Sequence, residues 1–203
     1  MKLINQQNTE PPNRIKVVIL VWSLLVFCGF GILVSYENRP GNSLKSPSIL
    51  PPELNLTLSK DKPTLILVAH PFCNCTAASL YEYEQILSRT QSQVVSKIIF
   101  SIPPGMPQSD WRAAENIVAA RNIAGSEVII DTKGVAARRL GALTSGHVLL
   151  FDREQKLRFS GGITPGRSHR GDSRGKLQIL KFLRENNLGD TSSPIFGCAL
   201  DES

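Results

Sequence analysis

The sequence predicts an α/β domain, a three-layer α/β/α sandwich with a mixed central sheet, preceded by one transmembrane helix. Three observations predict it. Val17 to Val34, VVILVWSLLVFCGFGILV, carries no charge over a length that, as a helix rising ~1.5 Å per residue, spans the hydrocarbon core of a bilayer. From Thr64 onward, β-branched and apolar runs alternate with helical patterns, as in sheets built from parallel strands and crossover helices. The alternation closes on two strand-like runs joined by Arg153-Glu154-Gln155 and a last helix, which makes part of the sheet antiparallel.

The first segment, residues 1–16, holds Lys2, Arg14 and Lys16, whereas Glu37 and Arg39 beyond the span cancel, so the positive-inside rule places the N-terminus in the cytoplasm. Residues 17–36 form the anchor. The exit, LVSYENRP, makes a poor cleavage site, which favours an uncleaved helix over a signal peptide. Cys28 is a buried, inert thiol within it. The rest of the chain then lies outside the cytoplasm, as on the periplasmic face of a bacterial inner membrane, where disulfides persist. Residues 37–62 contain Pro40, Pro47, Pro51 and Pro52 without sustained periodicity and read as a semi-extended tether. Residues 63–190 form the domain and 191–203 a tail carrying Cys198. With 203 residues, 41% of them hydrophobic, the chain has material for one packed core. A net charge of +6 is spread without aromatic interleaving, which argues against a nucleic-acid partner.

Within the domain the elements follow in order. Thr64 to Ala69 is an apolar first strand. Ala77 to Arg89 carries an apolar stripe at Leu80, Tyr83, Ile86 and Leu87, a helix. Val94 to Ile102 is a second strand, ended by Pro103-Pro104-Gly105. Ser109 or Asp110 caps a helix running to about Asn122, with Trp111, Ala114, Ile117 and Val118 facing inward. Glu127 to Asp131 is a third strand and Gly134 to Leu143 a short helix. His147 to Asp152 and Lys156 to Ser160 make the hairpin. The last helix runs from Arg174 to Asn186 on Leu177, Leu180 and Leu183.

The chemistry concentrates in His70-Pro71-Phe72-Cys73-Asn74-Cys75, between the first strand and the first helix of the domain. A helix N-terminus offers unpaired N–H groups and a positive dipole end, which stabilise a thiolate. A Cys73–Cys75 bond needs a tight, bent backbone and is strained, a property suited to exchange and poor for a structural staple. Outside the membrane the cysteines number three, so one thiol is unpaired, shuttles or binds a metal. Cys198 is the third thiol, brought near if Pro194, Ile195 and Phe196 dock on the domain.

The strand LILVAH with Pro71-Phe72-Cys73-Asn74-Cys75, and GVAARRLGALTSGHVLLFDREQKLRFSGG from Gly134 to Gly162, resemble the thioredoxin superfamily in its membrane-tethered extracytoplasmic branch. The Cys-x-Cys loop, the Ser-Gly-Gly-Ile run and the ending Phe196-Gly197-Cys198 are similar to bacterial RedB-type thioredoxin-like proteins. The resemblance covers about Thr64 to Asn187, with Asp152 at the family's strand-ending Asp. Two departures stand out: the family separates its cysteines by two residues, and its cis-proline falls here at Gly146, which has no Cβ to restrict the backbone.

The reading that follows is thiol–disulfide exchange with protein dithiols and disulfides of the envelope, with no bound cofactor. Cys73, taken as the more exposed sulfur, attacks and Cys75 resolves. Gly146, His147, Arg167 and Arg170 make the partner-binding loop region. The alternative is a copper-handling protein in which Cys73 and Cys75 bind with His147 or Cys198; tethered Sco-type proteins of this fold pair two cysteines with a histidine. His70 and His169 are lesser ligand candidates. A third reading is a non-catalytic binding domain.

Overall fold

Thr64–Ala69, apolar but for its first residue, forms strand β1, buried along its whole length. A strand buried on both faces belongs in the middle of a covered sheet. β1 pairs in parallel with β2 (Val95–Ile102) on one side and antiparallel with β4 (His147–Phe151) on the other. β3 (Ser126–Thr132) extends the parallel half beyond β2, and β5 (Leu157–Gly162) the antiparallel half beyond β4. A short β6 (Ser192–Ser193) runs parallel to β5, giving the order β3-β2-β1-β4-β5-β6.

This computed structural model describes residues 12–54, 56–90, 93–187 and 189–200; positions 1–11 of the expected cytoplasmic tail and the end of the C-terminal tail, 201–203, lie outside them. The chain divides into two units between Asn38 and Arg39. The first contains α1 (Asn13–Glu37), long and apolar enough to cross a membrane by length and composition, a test that a signal sequence also passes.

In the second unit, alternate residues of β1 feed two cores. Leu65, Leu67 and Ala69 meet Leu80, Tyr83 and Ile86 of α2 (Asn74–Thr90), Ile117 of α4 (Glu115–Arg121), and Ile179, Leu180 and Phe182 of α6 (Arg174–Glu185). Ile66 and Val68 face Ala137 of α5 (Val135–Arg139) together with Leu140, Ala142 and Leu200.

Three expectations are corrected. The single helix over 109–122 is two: α3 (Gln108–Arg112) ends at Arg112, Ala114 takes an extended ψ of 129°, and α4 starts afresh; neither helix has a side-chain cap, and Ser109 and Asp110 lie inside α3. The break re-phases the chain so that Trp111, Ala114 and Ile117 all face inward, and Val118 is exposed. On α6 the inward face is taken by Lys176, Ile179, Leu180 and Phe182, and Leu177 points out. Lys176 is admitted there because its ammonium meets Glu82 of α2 at 2.5 Å, with both side chains buried. The Pro-rich segment is no free tether either. Its backbone bonds at Gly41 to Ile195, Leu44 to Gly141 and Ser48 to Leu157, while Leu50, Leu54, Leu56 and Leu58 pack on the second core. It supplies much of the layer that α5 alone is too short to cover.

Candidate functional site

The parallel strands β1 and β2 end on the same side of the sheet, where ligands of open α/β folds gather. There β1 passes through His70 to Cys73, immediately ahead of α2, whose second residue is Cys75. A closed ring of hydrogen bonds fixes this turn. The His70 amide donates to the Ser145 hydroxyl (3.0 Å), Ser145 pairs with Thr76 Oγ1 (2.8 Å), and Thr76 Oγ1 donates to the His70 carbonyl (3.0 Å). Since the Thr76 proton is spent on His70, Ser145 is the donor to Thr76. From α4, Asn116 Nδ2 donates to the carbonyls of Pro71 (2.8 Å) and Cys73 (3.1 Å).

Cys73 is bonded to Cys198, with their Cα atoms 6.0 Å apart, and Cys75 is free and buried. The three sulfurs lie within 4.8 Å of one another. This corrects two expectations. The disulfide does not close on the neighbouring Cys75, and Cys73 is no exposed sulfur: it is 2% exposed and Cys75 6%, while Cys198 is on the surface. The amide of Cys198 donates to Cys73 Sγ (3.3 Å), and the Ser168 hydroxyl donates to Cys75 Sγ (3.4 Å).

The C-terminal segment reaches the site as irregular chain that ends in an isolated antiparallel bridge. Beyond β6, Ile195 is buried and its carbonyl accepts from Gly41. The Ser145 amide donates to the Cys198 carbonyl (2.8 Å), Thr144 bridges Ala199 antiparallel, and the Leu200 amide donates to the Leu143 carbonyl (3.0 Å). Leu200 is buried in the second core. Gly197 permits the approach, since a Cβ there would sit 1.9 Å from the Ser145 carbonyl oxygen. Gly146, where the family resemblance places a cis-proline, has φ +90° and donates to the Val68 carbonyl (2.8 Å); a Cβ on it would press on Ser79 Oγ of α2.

The remaining sequence candidates separate. Arg167 joins the site, its Nη1 donating to the Gly197 carbonyl at 2.6 Å. Arg170 instead stacks its guanidinium 4.5 Å from the centre of the Tyr81 ring. His147 does not join the sulfurs: it is buried on β4 with Nε2 2.7 Å from Ser160 Oγ, and burial pushes its pKa down to about 4. His70 accepts from the Phe72 amide at Nδ1, with its pKa lowered by burial, and His169 Nδ1 lies 2.6 Å from the Arg167 carbonyl; neither belongs to the cluster. Sequence reasoning missed Asn116, Ser145 and Ser168. Only Ser168 left a trace, as one polar residue of a Gly- and Arg-rich loop beside a site that needs hydrogen-bond donors.

No family model matches the chain, and no curated protein does. Among solved structures it is similar to an uncharacterized conserved protein from Geobacillus kaustophilus (18% identity, TM-score 0.58, covering 82% of this chain and 95% of that one). It is equally similar to a hypothetical protein from Sinorhizobium meliloti 1021 (16% identity, TM-score 0.58, 82% and 97%). The exposed lipoprotein thioredoxin of Streptococcus pneumoniae strain TIGR4 also matches, at 20% identity and TM-score 0.44 over 62% of this chain and 86% of that one. The likenesses concern the fold alone. The chain shares with the first two an α/β fold, here a mixed six-stranded sheet with a cysteine-bearing loop between β1 and α2.

Proposed function

We propose that this chain is a membrane-anchored thiol–disulfide exchange protein, its domain outside the cytoplasm, working through three sulfurs. The observation that carries the reading is the Cys73–Cys198 bond with the free Cys75 thiol within 4.8 Å of both its sulfurs. Exchange needs an attacking thiolate beside a disulfide, and a disulfide with one accessible sulfur.

A partner dithiol supplies the first thiolate, which attacks Sγ of the exposed residue Cys198; the Cys73–Cys198 bond breaks and Cys73 leaves as thiolate. The partner's second thiolate attacks its own sulfur in the mixed disulfide and Cys198 leaves in turn. The two leaving thiolates take up the two protons that the partner lost, so two electrons pass from the partner to the Cys73/Cys198 pair. Run in reverse, the reduced pair reduces a partner disulfide. Cys75 adds an internal route. Its thiolate attacks Cys73 Sγ, forming Cys73–Cys75 and releasing Cys198 or a partner bound at Cys73, with no net change in oxidation state. Ser168 stabilises the Cys75 thiolate by its hydrogen bond, and the N-terminus of α2 adds its dipole. Location outside the cytoplasm is supported by the apolar α1, the basic residues Lys2, Arg14 and Lys16 ahead of its apolar run and a disulfide that an oxidising compartment preserves.

The test is catalysed oxidation of a peptide dithiol by the detergent-solubilised full chain in a glutathione redox buffer. Wild type turns over and Cys73→Ser does not; a Cys73→Ser variant that keeps the wild-type rate overturns the reading.

The sulfur cluster also favours a second reading, in which the reduced protein carries Cu(I) on Cys73, Cys75 and Cys198. Three soft thiolates this close suit that ion, and of the two expected third ligands, His147 and Cys198, the grouping of the sulfurs supports Cys198. Copper stoichiometry of the reduced full chain in the presence of a competing chelator tests it: one tightly held ion with no dithiol turnover favours copper handling over exchange.

A further inference from the structure

We propose that residues Leu143–Ser145 form a docking edge for extended, cysteine-bearing partner segments of the pattern Gly-Cys-x-aliphatic, and that the chain's own end, Gly197-Cys198-Ala199-Leu200, occupies this edge as an internal mimic of the partner. The inference rests on the exchange reading above and names the partner that its Cys73 receives.

Three features of the tail define the pattern. The backbone is recognised first: Ser145 N–H and Leu143 C=O bond to Cys198 C=O and Leu200 N–H around the Thr144–Ala199 bridge, the pairing by which a strand adds to a free edge. This register sets the sulfur against Cys73 and turns the second residue after it into the second core, where Leu200 packs with Val68, Leu140 and Ala142. The residue before the cysteine faces the Ser145 carbonyl with no room for a side chain, a Cβ there falling 1.9 Å from the oxygen. Arg167 donates to that residue's carbonyl. A glycine before the cysteine and an aliphatic residue two after it are therefore requirements of the edge itself.

The burial of Cys73 follows from the same arrangement, since the segment that covers it is the one bonded to it. The tail is joined to the domain, so it competes at the high effective concentration of an intramolecular ligand. A partner gains Cys73 by cleaving the bond at Cys198 and then replacing the tail segment.

The experiment uses the full chain in detergent with Cys198→Ser and Cys75→Ser together, which leaves Cys73 as the reacting thiol of the domain. The probes are octapeptides Ser-Pro-Ile-Phe-Gly-Cys-Ala-Leu whose cysteine carries thionitrobenzoate as a disulfide. Attack by the Cys73 thiolate joins Cys73 to the peptide and releases coloured thionitrobenzoate, the better leaving group. A second peptide has Val in place of the Gly, and a third has Asp in place of the Leu. The expected result is release about tenfold or more slower from each variant peptide than from the parent, the loss of roughly one docking contact. Equal rates from all three overturn the docking edge and leave the exchange reading standing. No adduct at Cys73 from any peptide, with the variant's far-UV circular dichroism unchanged from wild type, overturns both.

Discussion

Acidification isolates one buried side chain. His147 sits on β4 between β1 and β5, essentially without solvent contact, and burial holds its pKa near 4 against an ordinary value of 6.5. The unfolded chain takes up a proton on this imidazole as pH falls through 6.5, and the folded chain refuses it until about pH 4. The unfolded state thus binds more protons across that window, and stability declines as pH falls. Each pKa unit corresponds to about 1.4 kcal/mol, so the decline from this one group is about 3 kcal/mol between pH 7 and pH 4. His147→Gln keeps a polar group for Ser160 and removes the titration. Urea unfolding of the full chain with its disulfide intact, followed by the fluorescence of buried Trp111, gives stability at pH 7, 6, 5 and 4.5. Wild type should lose stability with a slope that the variant lacks, the difference reaching about 2.4 kcal/mol at pH 4.5. Parallel curves for the two proteins refute the reasoning, because they show that His147 is protonated as readily in the folded state as in the unfolded one.

Two other perturbations test the framework around the sulfurs. Burial alone would lower the pKa of Lys176, but hydrogen bonds to Glu82 and Asp172 and their charges outweigh it and hold the pKa above the ordinary lysine value. Lys176→Met strands the Glu82 carboxylate in the core and should destabilise the domain by about 3–5 kcal/mol, most of it regained with Glu82→Gln added; a single variant that melts like wild type contradicts this. Ser168→Ala removes the hydroxyl bonded to Cys75 Sγ, and iodoacetamide should then modify Cys75 about fivefold more slowly with the Cys73–Cys198 bond intact. An unchanged rate assigns Ser168 no part in activating the thiol.

The strands were legible because their signal is local: β1, β2 and β4 are short apolar runs, and each lies within a residue or two of its expected bounds. The position of Cys73 and Cys75 at the strand-to-helix turn could be read for the same reason. What escaped depends on pairings between distant residues. Leu177 looked like a core position until Lys176 beside it found Glu82, more than ninety residues away in sequence, and turned the face of α6. The Pro-rich composition of residues 37–62 suggested a tether and hid the apolar positions Leu50, Leu54, Leu56 and Leu58, which pack on the second core. The choice of Cys198 over Cys75 as the partner of Cys73 is settled by Gly197 and by the pairing of residues 198–200 with Leu143–Ser145, a contact across more than fifty residues that no spacing rule contains.

The disulfide map of the oxidised full chain is the most direct measurement. After equilibration in a glutathione buffer and rapid alkylation of free thiols, proteolysis and mass spectrometry report which cysteines are joined. A predominant Cys73–Cys198 linkage with Cys75 alkylated is the predicted result; a predominant Cys73–Cys75 linkage with Cys198 alkylated would contradict the three-sulfur arrangement.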